Sequence, residues 1–476
     1  MNISKYLKTY ISFSVGTWFR FLFSLISIPL ISRLISASEF GKSSLFLVFI
    51  STVATLTTLG LDSGYLRFYK IYAESEKDSL FWMCLTPAFL ISLLVSVLLG
   101  KFSSVFSTML FSAVYKDFGY LSAASLLSLV LHRFSSFSLR AKKKGFHYSL
   151  TLSTNVFSSF LATILYATLV ERSFRALIIG NIVGNVISTL VSFWFTRAQW
   201  NAFAFRITTL RDLIRYSLPL VPARLLNSLF MAVDRFTIRY LSTFTELGLY
   251  SAALKLSTSL DVLKEGFTLM WAPLAYEKYE SGDRTDSFFS KTFDLVSALS
   301  FSAAFFVLVI KEAIFLLFAS DYRKASPVIP FLLLFSIFDV LETVNSIGLH
   351  LKKKTHMYLL TLPLAIFTNI FLATFSVKFY GARGAALSKA GAYVIYFLLQ
   401  RIISRRLYPV NFDRKKLIVV STTYAMIAAF LSFSESAVVN ILLGFAGLVI
   451  TSLVYKKDMQ VLISKIFRQL TENSLN

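Results

Sequence analysis

The chain has 476 residues, of which 56% are apolar and 15% charged, with a mean hydropathy of +0.67 and a formal net charge of +23. A soluble domain carries about 25% charged residues, so a water-soluble enzyme is excluded over most of this length. The single cysteine, Cys84, excludes internal disulfides and cysteine-rich metal sites, and the four histidines (His132, His147, His350 and His356) show no metal-ligand spacing.

Apolar runs of about 20 residues, enough to cross a bilayer core, recur from end to end. In order they lie near 10–32, 43–62, 79–99, 118–138, 148–170, 174–196, 213–240, 248–275, 293–318, 328–349, 357–379, 382–404, 416–432 and 437–455. The connections between them average about 13 residues once about 20 are given to each span, too few for a folded catalytic domain. The expected fold class is an all-α polytopic membrane protein with about 14 transmembrane helices. The N-terminus, MNISKYLKTYISF, has the basic start of a signal peptide but no small-residue cleavage site, so the first span is expected to be retained.

Most of the 48 Lys and Arg fall in the even-numbered connections and the two tails, including Lys142-Lys143-Lys144, Lys352-Lys353-Lys354, Arg405-Arg406, Arg414-Lys415-Lys416 and Lys456-Lys457. The positive-inside rule makes that side cytoplasmic, and both termini with it. The runs are read as orientation signals in contact with anionic lipid, not as a nucleic-acid surface.

Two segments repeat. YISFSVGTWFRFLFSLISIPLISRLISASEFGKSSL (10–45) aligns with YSLPLVPARLLNSLFMAVDRFTIRYLSTFTELGLYSA (216–252) at an offset of 207, placing Glu39 and Gly41 on Glu246 and Gly248. LRAKKKGFHYSLTL (139–152) aligns with LHLKKKTHMYLLTL (349–362) at 210, placing the first lysine run on the second. Six spans, an even number, separate the copies, so the repeats are parallel and related by a pseudo-two-fold axis along the membrane normal. The expected organisation is an N-terminal lobe over 1–210 (spans 1–6), a C-terminal lobe over 211–410 (spans 7–12), and a C-terminal helix pair with a basic tail over 411–476 (spans 13–14).

Seven basic residues stand deep in spans: Arg20, Arg133, Arg224, Arg235, Lys255, Lys264 and Lys389. Each would cost about 2.5–3.5 kcal/mol at the bilayer centre, so they face a wet cavity, pair with acids, or snorkel. Asp234 adjoins Arg235, Asp261 lies one turn from Lys264 beside Glu265, Asp339 and Glu342 share a helix face, and Asp62 stands alone. Arg20, Arg224 and Lys255 have no acid three or four residues away. At the 207 offset Arg20 falls on Asn227, three residues from Arg224, so both arginines occupy the same face of equivalent helices. The expected site is a cationic cavity formed by Arg20, Arg224, Lys255, Lys264, Arg133 and Arg235; Lys389 is expected to have a local partner. A guanidinium's planar fork matches phosphate oxygens and stays charged when desolvated. The acids Asp62, Asp234, Asp261, Glu265, Asp339 and Glu342 are read as salt-bridge partners or as sites of H⁺ or Na⁺ coupling. No nucleotide-binding, catalytic or metal motif is present, so no cofactor is expected.

PLISRLISASEFGKSSLF (29–46), LGLDSGYLRFY (59–69), YSLPLVPARLLNSLFMAVDRFTIRYL (216–241), ELGLYSAALKL (246–256), FTLMWAPLAYEKY (267–279) and YGARGAALSKAGAYVIYFLLQR (380–401) resemble the bacterial polysaccharide repeat-unit flippases, the O-antigen (Wzx-type) translocases. These belong to the multidrug/oligosaccharidyl-lipid/polysaccharide exporter superfamily. The resemblance covers about residues 5–410 and implies a MATE-like, multi-pass inner-membrane protein that is a transporter, not an enzyme. Its implied cargo is undecaprenyl-diphosphate-linked oligosaccharide, carried from the cytoplasmic to the periplasmic leaflet, with a polymerase and a chain-length regulator as implied partners. Asp234-Arg235 matches the family's local pattern, which leaves open whether the pair is structural or substrate-facing. The alternatives are a lipid II flippase, which shares the diphosphate carrier, and a cation-coupled multidrug exporter, which would need unpaired acids.

Overall fold

The structure is a computed structural model, and it describes residues 3–73, 76–201, 207–281, 286–408, 410, 412–434 and 436–460. These residues form helices and turns, with no strand among them. In the first half lie α1 (Ile3–Leu34), α2 (Ala37–Thr57), α3 (Leu61–Phe68), α4 (Lys77–Lys101), α5 (Ser103–Phe111), α6 (Phe118–Ala141), α7 (Gly145–Leu169), α8 (Phe174–Asn201), α9 (Ile207–Ser217), α10 (Val221–Leu241) and α11 (Phe244–Ser257). There follow α12 (Ser259–Glu280), α13 (Asp286–Leu316), α14 (Ser320–Arg323), α15 (Ile329–Asn345), α16 (Ile347–Leu351), α17 (Tyr358–Leu407), α18 (Arg414–Phe433) and α19 (Ala437–Val454).

Each expected span falls largely on helix. Ten stretches of described residues are long and apolar enough to cross a membrane, and one of them, Thr355–Leu407, holds two of the expected spans. Those two are both in α17, which is broken at Gly381 (φ 53°, ψ −125°). Ser376 Oγ donates to Gly384 O at 2.9 Å across the break, whereas eight residues of straight helix would separate them by about 12 Å. The chain therefore reverses at Gly381, and residues on either side of it run as antiparallel neighbours. Large apolar side chains such as Leu94, Leu165, Phe367, Met426 and Leu442 are exposed along the helices; in a chain this apolar they are lipid-facing. Several buried hydroxyls are satisfied within their own helices, as Ser92 Oγ is by Ala88 O and Thr451 Oγ1 by Gly447 O. The protein is a multi-pass membrane protein.

The chain packs as two compact units, Met1–Ser251 and Ala252–Asn476. The repeat sets its boundary after residue 210, whereas packing sets it after Ser251, because α10 lies along α2 of the first unit. The C-terminal pair belongs to the second unit, where α19 packs on α13 and α18 on α15. In that unit α15 is the central helix, buried along nearly its whole length. An α-helix apolar on nearly every face is the signature of such a position, and Asp339 and Glu342 are its charged exceptions.

The repeat reappears as local conformation. Lys143 and Lys353, 210 residues apart, both take left-handed backbone (φ 56° and 55°). Lys144 N donates to Leu139 O at 3.0 Å and Lys354 N to Leu349 O at 2.8 Å, the six-to-one bond of a Schellman helix end. Within the first unit, α2 meets the start of α11 at two glycines. A methyl on Gly41 would collide with Phe244 O, and one on Gly248 with Ala37 O. Ala37 and Gly41 fall on Phe244 and Gly248 at the 207 offset, so each helix offers the other the same surface.

Candidate functional site

In the first unit the charged cluster begins at a turn. Gly60, with φ 70°, ends the α2 segment and starts α3, and a side chain on Gly60 or Gly64 would strike Ser217, just before α10. This close approach of α3 to the α9–α10 junction brings Asp62, in the first turn of α3, against Arg224, in the first turn of α10. The guanidinium donates from Nη2 to Asp62 Oδ2 at 2.6 Å and from Nη1 to Oδ1, a bidentate pair. Asp62 is 1% exposed, while the Arg224 side chain keeps 30% exposure.

Arg133 on α6 is half-buried and donates to Ser51 Oγ at 3.3 Å. It lies within electrostatic reach of both Asp62 and Arg224. Arg133 and Arg20, from α1, are likewise both within reach of His132. His132 Nδ1 shares a 2.8 Å hydrogen bond with Ser188 Oγ, which accepts from Asn155 Nδ2 at 3.2 Å. Arg133 and Arg224 thus share Asp62, and Arg20 and Arg133 share His132, which links the four residues Arg20, Arg133, Arg224 and Asp62 through one polar region.

The Asp234-Arg235 pair sits elsewhere in this unit. Asp234 is fully buried and accepts from Tyr250 OH at 2.7 Å. Arg235 donates to Ser44 Oγ and to Met231 O, each at 2.9 Å. These bonds tie α10 to α2 and α11. Just before the span that starts at residue 118, the Asp117 carboxyl is held below the usual carboxylate range by the Arg175 guanidinium, through bonds of 2.6 and 3.1 Å.

In the second unit Lys264 of α12 reaches Asp339 Oδ2 of α15 at 2.5 Å, and Tyr393 OH of α17 donates to the other carboxylate oxygen. One turn along α15, Glu342 Oε2 accepts from Asn345 Nδ2 at 2.9 Å, while Glu342 Oε1 is buried without a hydrogen-bond partner. Gln400 Nε2 joins Thr361 Oγ1 at 2.8 Å and Tyr396 OH at 3.2 Å. Lys389 is buried with its ammonium 4.6 Å from the Phe335 ring centre. Lys255 and Glu265 are exposed, and the side chain of Asp261 lies outside the described residues.

The structure thus brings Arg20, Arg133 and Arg224 together in the first unit, and Lys264, Asp339 and Glu342 together in the second. Two pairings differ from those read along the sequence. Arg224, with no acid a turn away, is paired with Asp62, which had looked isolated. Lys264 is bonded to Asp339, 75 residues on, in addition to having Asp261 one turn away in sequence. Four participants were not anticipated: Ser51, His132, Tyr393 and the buried Lys311. Lys311 donates to Glu312 and to Ser326 Oγ at 2.9 Å, and Asn440 Nδ2 of α19 donates to the same Glu312 oxygen at 2.7 Å. The sequence signal for this knot was an adjacent lysine and glutamate inside an apolar run. Among the described residues, no group of three or more His, Cys, Asp or Glu could hold a metal.

Solved structures of similar shape are transporters. A lipid II flippase, MurJ, in its inward closed conformation has a TM-score of 0.70 at 16% identity, covering 94% of this chain and 99% of that one. An inward-facing multidrug resistance MATE family transporter of the MOP superfamily gives 0.59 at 12% identity, over 90% and 96%. A MATE structure in the straight conformation gives 0.55 at 13%, over 84% and 95%. At these identities the likeness establishes the fold alone. A search of curated proteins finds no match. The sequence model of a family described as polysaccharide biosynthesis protein matches residues 30–327, more than half of the chain. With its MATE-like helical fold and its match over that length, the chain belongs to the polysaccharide biosynthesis protein family.

Proposed function

We propose that this protein is a flippase for undecaprenyl-diphosphate-linked oligosaccharide repeat units of O-antigen or a related surface polysaccharide. It carries them from the cytoplasmic to the periplasmic leaflet of the bacterial inner membrane by alternating access through a cationic cavity, with both termini in the cytoplasm. The observation that carries this reading is the cluster of intramembrane arginines in the first unit, where Asp62 is paired with Arg224 and has Arg133 within electrostatic reach, and Arg20 lies within reach of the same His132 as Arg133. A diphosphate is a compact dianion with oxygens spaced for guanidinium forks. Membership of a polysaccharide biosynthesis family supports a saccharide cargo. The lipid II flippase reading shares the carrier, and the arginine cluster serves it equally; a multidrug exporter for cations is served less well by a cationic site.

The test is complementation of a strain lacking its repeat-unit flippase. Wild type restores surface polysaccharide, and Arg20→Gln/Arg133→Gln at normal membrane abundance does not. Full polysaccharide from that double variant overturns the role given to the cluster. Restoration of lipid II export instead, in a strain lacking that activity, moves the cargo to the alternative.

Glu342 favours one addition, coupling to H⁺. Its buried oxygen has no donor to answer a negative charge, and a bound proton would remove that charge. Transport that depends on a pH gradient in wild type and loses that dependence in Glu342→Gln is the expected outcome. Unchanged dependence removes Glu342 from the coupling step.

A further inference from the structure

The end of α17 and the start of α18 enclose a cavity of about 540 Å³ whose charged lining is entirely basic: Arg401, Arg405, Arg406 and Arg414. No acid lines it. Asp413, the nearest acid in sequence, is committed to capping α18, accepting from Lys415 N at 3.0 Å and Lys416 N at 3.3 Å. Arg401 is held in place, with its guanidinium carbon 4.1 Å from the Phe412 ring centre and Nη2 donating to Val410 O. Phe412 is in turn stacked on Phe293 at 3.7 Å between ring centres. Arg401 Nη1 remains buried without a hydrogen-bond partner, with Arg405 and Arg414 adding like charge beside it.

The remaining lining is apolar and opens outward, since Leu398, Ile402 and Ile418 are exposed. Four guanidinium groups above an apolar, lipid-facing wall are complementary to a molecule with a phosphate head and a hydrocarbon tail. We propose that this cavity binds an anionic phospholipid of the surrounding bilayer. Its phosphate is held by Arg401, Arg405, Arg406 and Arg414, and an acyl chain lies along Leu398, Ile402 and Ile418. Basic pockets between membrane helices on the charge-rich side hold lipid headgroups in this way. None of the lining residues belongs to the clusters of Arg224 or of Asp339, and the proposal does not depend on the cargo proposed above.

The test is titration of the purified full chain, in zwitterionic detergent micelles, with short-chain phosphatidylglycerol, phosphatidylcholine or undecaprenyl diphosphate, read by native mass spectrometry. Phosphatidylglycerol is expected to bind at least tenfold more tightly than phosphatidylcholine. Arg405→Gln/Arg414→Gln, which leaves the packed Arg401 intact, is expected to weaken phosphatidylglycerol about 25-fold, from about fivefold per basic residue. Lys352→Gln/Lys353→Gln, which removes two charges from another basic loop, is expected to change affinity less than twofold. Equal loss in the two double variants, or none in the first, overturns the site. So does displacement of phosphatidylglycerol by equimolar undecaprenyl diphosphate, which would make the cavity a carrier subsite.

Discussion

Ser44 and Ser251 share a hydrogen bond, hydroxyl to hydroxyl, at 2.8 Å, and they stand 207 residues apart, the offset at which the two copies of the repeat align. Around them Gly41 meets Phe244 as Gly248 meets Ala37. When residue i meets j and the equivalent of j meets the equivalent of i, the contact lies on a two-fold axis. The pseudo-symmetry read from sequence is therefore a physical contact between α2 and the start of α11.

That contact can be locked. Cys84 is the one native cysteine and is buried, so Ser44→Cys/Ser251→Cys introduces a clean thiol pair. After mild oxidation both new thiols are expected to resist maleimide labelling, and reduction is expected to restore it. If this end of the molecule opens during transport, oxidation also stops surface polysaccharide in cells. Full labelling after oxidation contradicts the contact.

The Asp62–Arg224 pair predicts a sharp asymmetry between single and double variants. Removing one partner of a buried ion pair costs about 3–5 kcal/mol, because the other charge is left stranded. Arg224→Gln strands Asp62, the more buried partner, so its thermal stability in detergent and its membrane abundance fall. Asp62→Asn/Arg224→Gln leaves neither partner of the pair stranded and recovers most of both. Wild-type stability for Arg224→Gln alone contradicts the pairing.

Lys311 makes the same argument in the second unit. It is 1% exposed and answered by Glu312, which also receives Ser326 and Asn440. Glu312→Ala is expected to cost about 3–5 kcal/mol and to loosen α19 from α13, read as faster proteolysis after residue 433. Lys311→Met/Glu312→Gln is expected to be milder than the single change, since no buried charge is left unanswered.

The two lysine turns allow a stabilising prediction. A left-handed backbone costs a non-glycine residue about 1–2 kcal/mol, and Lys143 and Lys353 both pay it at a helix end where glycine is preferred. Lys143→Gly and Lys353→Gly are each expected to raise the melting temperature in detergent. A fall in both variants contradicts the turn assignment.

How much of this was legible follows from the range of each signal. The helices and the repeat were legible because apolar runs and the LRAKKKGFHYSLTL and LHLKKKTHMYLLTL motifs are local. The intramembrane cations were legible because a charge in an apolar run is conspicuous. Their partners were not. Arg224 finds Asp62 across 162 residues, and only the turn at Gly60 and the packing of α3 beside Ser217 bring them together. Helix spacing reveals neighbours one turn away, so Lys264 pointed to Asp261 while its bond to Asp339 lay out of reach. Lys311 and Glu312 lie near the end of the run 293–318, where charges are ordinary, and the partners that bury them, Ser326 and Asn440, lie beyond helix spacing. The boundary after residue 210 followed the repeat, whereas packing follows contacts, and α10 makes its contacts with α2.

The central claim is that the cationic cluster of the first unit holds a lipid diphosphate during transport. Its most direct test is transbilayer movement of fluorescent undecaprenyl-diphosphate oligosaccharide in proteoliposomes of wild type and of Arg20→Gln/Arg133→Gln. The account predicts movement by wild type and at least a tenfold slower rate in the variant, with equal reconstitution of both. Equal rates, or no movement by wild type, would contradict it.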